Sequence, residues 1–261
     1  NSACSGVLTG SDNVTLGSNN SRSITSGNRN IFVGNYNNRM DTLGSDNIGI
    51  GGNVMGACDG ASTNRIYNIA IGCRAMGCVT SGRNNVAIGF LAGDHIRSKS
   101  CNVFLGSSAG SYSYGSENVY IGLEAGKAPN SNLDDNTGSR NAFVGYGAGY
   151  LTTAGSCNVA IGLWSSTVLT TGCHNTTLGM YAGRNITTGS SNVAIGCCVC
   201  VASATGNCQL AIGNGSNNWI SGDSSWNIRP GAGILDHTGN VGTAASVLTS
   251  TGSGVCWAAA S

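Results

Sequence analysis

The sequence predicts an all-β chain: a parallel β-solenoid, or β-roll, of about twelve coils followed by a non-repetitive C-terminal segment. Three observations predict it: a short motif that returns at a nearly fixed interval, a unit too short for a helical hairpin, and glycines at fixed places within that unit. The motif Asn-x-x-(Ile/Val/Leu)-Gly starts at Asn13, Asn30, Asn47, Asn68, Asn85, Asn102, Asn118, Asn141, Asn158, Asn175 and Asn192, and Gln209 opens a twelfth copy. Successive starts lie 17, 17, 21, 17, 17, 16, 23, 17, 17, 17 and 17 residues apart, and every copy closes on a glycine, among them Gly17, Gly196 and Gly213. A fixed period of this length marks a stacked repeat array.

Each part of the unit follows from its residues, counted from the motif asparagine as position 0. In Val193-Ala194-Ile195 the side chains alternate, so the first and third share one face. The expectation is that Val193 and Ile195 point inward and Ala194 outward. Glycine at position +4 marks a corner, where a residue without Cβ permits positive φ or a close backbone approach. Ala-Gly follows at Ala92-Gly93, Ala109-Gly110 and Ala182-Gly183, and a second turn signal closes many units, as in Thr80-Ser81-Gly82 and Thr187-Thr188-Gly189. Seventeen residues hold two short strands and their turns.

One such coil cannot bury its own apolar face, so stability must come from stacking like residues on like. The asparagines then form an amide ladder, and twelve coils at the spacing of paired strands make a rod about 55 Å long. The organisation reads as an N-terminal segment (1–12), a repeat domain (13–213) and a C-terminal capping or assembly segment (214–261). Trp219, Trp226 and Trp257 lie beyond the last coil. There they would either cover an edge that otherwise invites strand pairing or form the joint to another subunit.

The two long intervals place insertions within Met55–Tyr67 and Lys127–Gly138. Insertions in solenoids fall in loops on one face, which makes Asp59, Arg65, Lys127, Asn132, Asp134 and Asp135 candidate contact residues. The competing reading is a neutral insertion, since longer surface loops cost little.

Composition narrows the function classes. A net charge of +1 gives no electrostatic case for nucleic acid. With no apolar run near the roughly 18 residues of a spanning helix, membrane insertion is not expected. The apolar share of 40% argues for a packed chain rather than a disordered one. Twelve cysteines favour an extracellular or particle-surface setting. The chain opens at Asn1 without the pattern of a signal peptide, as expected of a processed product or a fragment.

Stacked residues lie near the Cα separation of a disulfide, so phase nominates Cys58 with Cys78 and Cys157 with Cys173 as bridges. The alternative is free thiols packed as small apolar groups. Cys101 and Cys208 share a phase six coils apart, which leaves pairing between chains. The cysteine spacings, including Cys197-Cys198-x-Cys200, match no zinc pattern of short paired ligands. Neither a metal nor a cofactor is expected.

Catalysis finds little support. His95, His174 and His237 stand outside any nucleophile motif, Asp134-Asp135 reads as a solvated turn, and no Gly-Lys-(Ser/Thr) phosphate loop occurs. Stacked threonines at Thr170-Thr171 and Thr187-Thr188 raise ice binding as a rival, but adjacent residues of a strand face opposite ways. A turn-forming ladder accounts for them better.

At Asn85-Val86-Ala87-Ile88-Gly89 and Asn192-Val193-Ala194-Ile195-Gly196 the chain resembles the head repeats of trimeric autotransporter adhesins of the YadA type. Similar repeats occur in phage tail-fibre proteins. The resemblance spans about Asn13 to Gly213 and implies a β-roll assembled as a homotrimer. A second stretch, Thr238 to Ala260, looks like a segment recurring in tail fibres of marine phages. The coil is longer than the adhesin unit, and no heptad stalk accompanies it. Together they imply a non-enzymatic fibre or adhesin-like protein of a virion or cell-surface appendage, a rigid multivalent rod meeting a host-surface glycan or receptor. The rivals are a subunit of a head-to-tail extracellular filament and an ice- or glycan-binding solenoid.

Overall fold

The computed structural model describes residues 9–20, 26–37, 43–56, 64–128, 136–235, 239–242, 246–250 and 254–259. Each motif becomes one strand: β1 (Val14–Ser18), β2 (Ile31–Asn35), β3 (Ile48–Gly52), β4 (Ile69–Ile71), β5 (Val86–Ile88), β6 (Val103–Leu105), β7 (Val119–Ile121), β8 (Ala142–Val144), β9 (Val159–Ile161), β10 (Thr176–Leu178), β11 (Val193–Ile195) and β12 (Leu210–Asn214). These strands pair in parallel, each with the next in the chain, and no helix occurs among the described residues. The chain is a parallel β-solenoid.

Register is kept through both long intervals: Ile48 pairs with Ile69 and Val119 with Ala142. Neither insertion shifts the pairing of the strands that flank it. Beyond the last coil, β13 (Asn217–Gly222) returns antiparallel on β12, and β14 (Ile228–Pro230) follows it. β15 (Ser246–Ser250) and β16 (Val255–Ala259) form a separate antiparallel pair.

The coil holds one strand rather than the two expected. Its opposite wall is built from turns, with left-handed residues at positions +6 and +8, such as Leu91 (φ 57) and Met76 (φ 50). Coil-to-coil bonding continues there regardless: Met76 N–H donates to Ala92 O at 2.9 Å and Gly93 N–H to Ala109 O at 2.8 Å. Left-handed residues cannot propagate a pleat, so this wall pairs without becoming a strand.

A second expectation is reversed. The middle residue of Val-Ala-Ile is the buried one, and Val193 and Ile195 face outward. Phe32, Ala70, Ala87, Phe104, Tyr120, Phe143, Ala160, Thr177, Ala194 and Ala211 form this inner column, each at most 1% exposed. The interior is narrow, because positions +2, +7 and +8 of a single coil meet there. Where Phe104, Tyr120 and Phe143 enter, position +8 is Gly110, Gly126 or Gly149, and an added Cβ would come within 2.4 Å of the ring. Where position +2 is Gly49, the Phe32 ring of the preceding coil lies 2.6 Å from where a Cβ would stand, and at position +8 of this coil and the next Met55 and Met76 are buried. Tyr120 stacks on Phe143 at 5.0 Å, and Phe104 meets Tyr120 tilted, at 5.4 Å.

The asparagine ladder is the polar spine of the core. Asn175 donates its backbone N–H to Asn158 Oδ1 at 2.9 Å and its amide to the same oxygen at 3.1 Å and to Gly189 O at 2.9 Å. The pattern recurs along the stack, satisfying the backbone groups a buried corner would otherwise strand. Gln209 ends it: its amide reaches Asn192 Oδ1, while Oε1 folds back to accept Ser203 N–H of its own coil at 2.7 Å. The corner glycines allow close contact; a Cβ on Gly72, at φ +123, would lie 2.6 Å from Gly89 O.

Candidate functional site

The reversal of Val-Ala-Ile exposes a continuous apolar face. Positions +1 and +3 of all twelve copies are Val, Ile or Leu except Ala142 and Thr176, and none is charged. Leu16 is 65% exposed, Leu178 46%, Ile161 40% and Ile121 36%. Position +5 widens the face with Phe90, Leu123 and Met180, all exposed. The hairpin prolongs it, since Ile212 lies opposite Ile220, and Leu210 opposite Gly222 and in turn Ile228. Parallel sheets are normally covered on both faces. Two side-chain columns over twelve strands present about 550 Å² in plan, at the upper end of what a monomer exposes. Position +5 is polar or glycine at Ser18, Asn35, Gly52, Ser107 and Asn214; the three columns together approach the roughly 800 Å² per partner of a specific interface.

One rim of this face is position −1, from Asp12 to Cys208, where every residue is left-handed. Arg29 there makes a two-pronged pair with Asp46 at 2.6 and 2.8 Å, which holds the Asp46 carboxyl below its usual range. Position −2 carries a ladder that the sequence reading missed. Ser100 N–H donates to Ser116 Oγ at 3.2 Å, Ser116 N–H to Ser139 Oγ at 3.1 Å and Ser139 N–H to Ser156 Oγ at 3.0 Å. The run of Ser at this phase was the available signal.

That ladder corrects the expected Cys157–Cys173 bridge. Cys173 occupies position −2, where its sulfur accepts Ser156 N–H at 3.3 Å, while Cys157 stands at −1, one phase away; both are free thiols. Cys78 is disulfide-bonded, and Cys58 lies outside the described residues. Cys197 and Cys198 bring their sulfurs to 3.3 Å, and this contact, with burial, pushes the Cys197 thiol up.

Arg65 is not a contact residue. It is fully buried in the glycine column at position −3, its guanidinium donating to the Met55, Gly56 and Val79 carbonyls. Lys127 is half-buried, paired with Glu124 at 2.6 Å and 5.9 Å from the centre of the Tyr150 ring. Tyr150 and Tyr146 flank Trp164 at 5.5 and 4.8 Å, an aromatic group beside the second insertion. Asp59, Asn132, Asp134 and Asp135 lie outside the described residues.

Trp219 and Trp226 are 68% and 81% exposed. Trp226 borders a cavity of about 230 Å³ with Val193, Cys208, Leu210 and Ile228. Trp257 in β16 donates its indole N–H to Ile234 O at 2.8 Å. Thr170 and Thr187 donate their hydroxyls to carbonyls of the next coil at 3.1 and 3.2 Å, as a turn ladder requires.

Among the described residues one group of metal-ligating types converges, Cys78, Asp94 and His95, with ligand atoms within 4.8 Å of one another. The Cys78 sulfur is committed to its disulfide, Asp94 is paired with Arg74 at 3.0 Å, and His95 stacks on Tyr112. These contacts account for the group as a brace between neighbouring coils. No helix among the described residues is long and apolar enough to cross a membrane. Comparison with protein-family models, curated proteins and solved structures returned no match.

Proposed function

We propose that the chain is a non-enzymatic structural rod of an extracellular fibre or adhesin-like appendage, on a virion or a cell surface, assembled as a homotrimer through its outward apolar face. The observation that carries this reading is the uncharged face, Val, Ile or Leu at all but two places, along the twelve parallel strands of the sheet. Water contact over that area is unfavourable by roughly 25 cal/mol per Å², and a second copy offers the same flat, uncharged, rung-spaced surface. Three chains facing a common axis bury all three faces and turn the opposite walls of turns outward. Each outward site is then present three times, so weak contacts with a surface glycan or receptor add through high effective concentration.

A bounded rod is favoured over an open filament by the antiparallel return of β13, which occupies the free edge of β12, and by the self-capping of Gln209. Ice binding is disfavoured because Thr176 is the sole threonine in the two outward columns. Electron micrographs of the isolated protein test the reading. Rods of one length, with a repeat body about 55 Å long, are expected; fibres of unlimited length would establish the filament instead.

A further inference from the structure

We propose that the assembled rod is closed by a disulfide between Cys197 of one protomer and Cys208 of its neighbour. This inference rests on the homotrimer proposed above. Of the free cysteines, Cys73 and Cys197 lie at position +5, and Cys101, Cys157 and Cys208 at position −1. These positions are the two opposite edges of the apolar face.

Within one chain the edges are separated by a strand of five or six residues, about 15–20 Å. That distance is far beyond the span of a disulfide. When three copies turn this face to an axis along the rod, their strands follow one another head to tail around it. The +5 edge of each copy therefore meets the −1 edge of the next.

Height then selects the pair. Cys197 belongs to the eleventh coil and Cys208 to the twelfth, so one rung separates them, about 4.8 Å, inside the usual Cα spacing of a disulfide. Cys73 and Cys101 differ by two rungs, about 9.6 Å, and are too far apart. Cys157 meets Tyr146, Leu163 and Met180 at neighbouring heights and has no thiol opposite it. The reaction joins two thiols with loss of two protons and two electrons. Glutathione disulfide accepts both and leaves as two glutathione thiols.

The test mixes ordinary and ¹⁵N-labelled full chains, assembles them, oxidises with glutathione disulfide, and compares native mass with non-reducing gels and peptide masses. Expected are trimers by native mass, dimers and trimers on the gel that dithiothreitol collapses, and a mixed-isotope peptide joining Cys197 to Cys208. Cys197→Ser and Cys208→Ser remove the cross-link without changing the native mass, and Cys101→Ser leaves it intact. A native trimer that runs only as monomers on the gel, or a Cys197–Cys198 bond in its place, overturns the cross-link and spares the trimer. A monomeric native mass overturns both.

Discussion

In β7, Tyr120 is completely buried while the next residue, Ile121, is 36% exposed, although isoleucine is the more apolar side chain. The same contrast runs the length of the sheet. The inner column varies from Gly49 through Ala87 and Thr177 to Phe143, whereas the outer columns hold almost nothing but Val, Ile and Leu. The inner side is a closed space whose volume is shared with positions +7 and +8 and with the neighbouring coils: the Phe104 ring lies 2.3 Å from where a Cβ on Gly110 of its own coil would stand and 2.7 Å from one on Gly93 of the coil before. The outer side is an open plane, and its uniformity makes sense if every rung meets an equivalent rung of another chain.

The largest difference is expected between the two sides of β7 and β8. Phe143→Ala should cost about 3–5 kcal/mol by denaturant unfolding, through lost burial and the cavity left behind. Ile121→Ala in the dissociated chain should cost much less; equal costs would break the contrast. The ladder comes next. Asn175→Ala removes the acceptor that Asn192 N–H uses at 3.0 Å. It also leaves Gly189 O without its amide donor, a loss of about 3 kcal/mol for buried groups, and a change below 1 kcal/mol in thermal unfolding would contradict the ladder's role.

On the outer side, Ile121→Ser should leave the circular dichroism spectrum unchanged and weaken assembly by about 2 kcal/mol per protomer, read as a shift in the concentration dependence of native mass. Ser139→Ala, which deletes one rung of the serine ladder, should cost about 1 kcal/mol. The smallest effect concerns the rim. Asp46 is depressed by its hydrogen bond to Arg29, so its contribution is present above the unfolded carboxylate value and lost as pH falls through the folded one. Arg29→Met should move the Asp46 midpoint up toward the ordinary aspartate value in an NMR titration, and an unmoved midpoint would remove the pair from the account.

Period, register, corner glycines and the asparagine spine were legible because each is a one-dimensional pattern that stacking copies into space. The direction of Val-Ala-Ile was not, since alternation separates two faces without saying which is enclosed. The deciding signals lay between positions rather than within the strand: Phe104 with Gly110 of its own coil, and Phe32 with Gly49 of the next, traded volume across the interior. Arg65 misled for a related reason. A charged residue in an insertion reads as exposed, yet here its guanidinium finds three carbonyls in a column elsewhere filled mostly by glycine. For Cys157 and Cys173 the phase argument failed by a single position, enough to put Cys173 in the serine ladder and Cys157 on the rim.

The most direct test is the native mass of the unmodified, reduced chain by light scattering across micromolar concentrations. The expected mass is three times the 26.2 kDa of one chain, falling toward one chain's mass when Val119 and Ile121 are both changed to Ser. A single-chain mass for the unmodified protein at every concentration, with the apolar face left open to water, would contradict it.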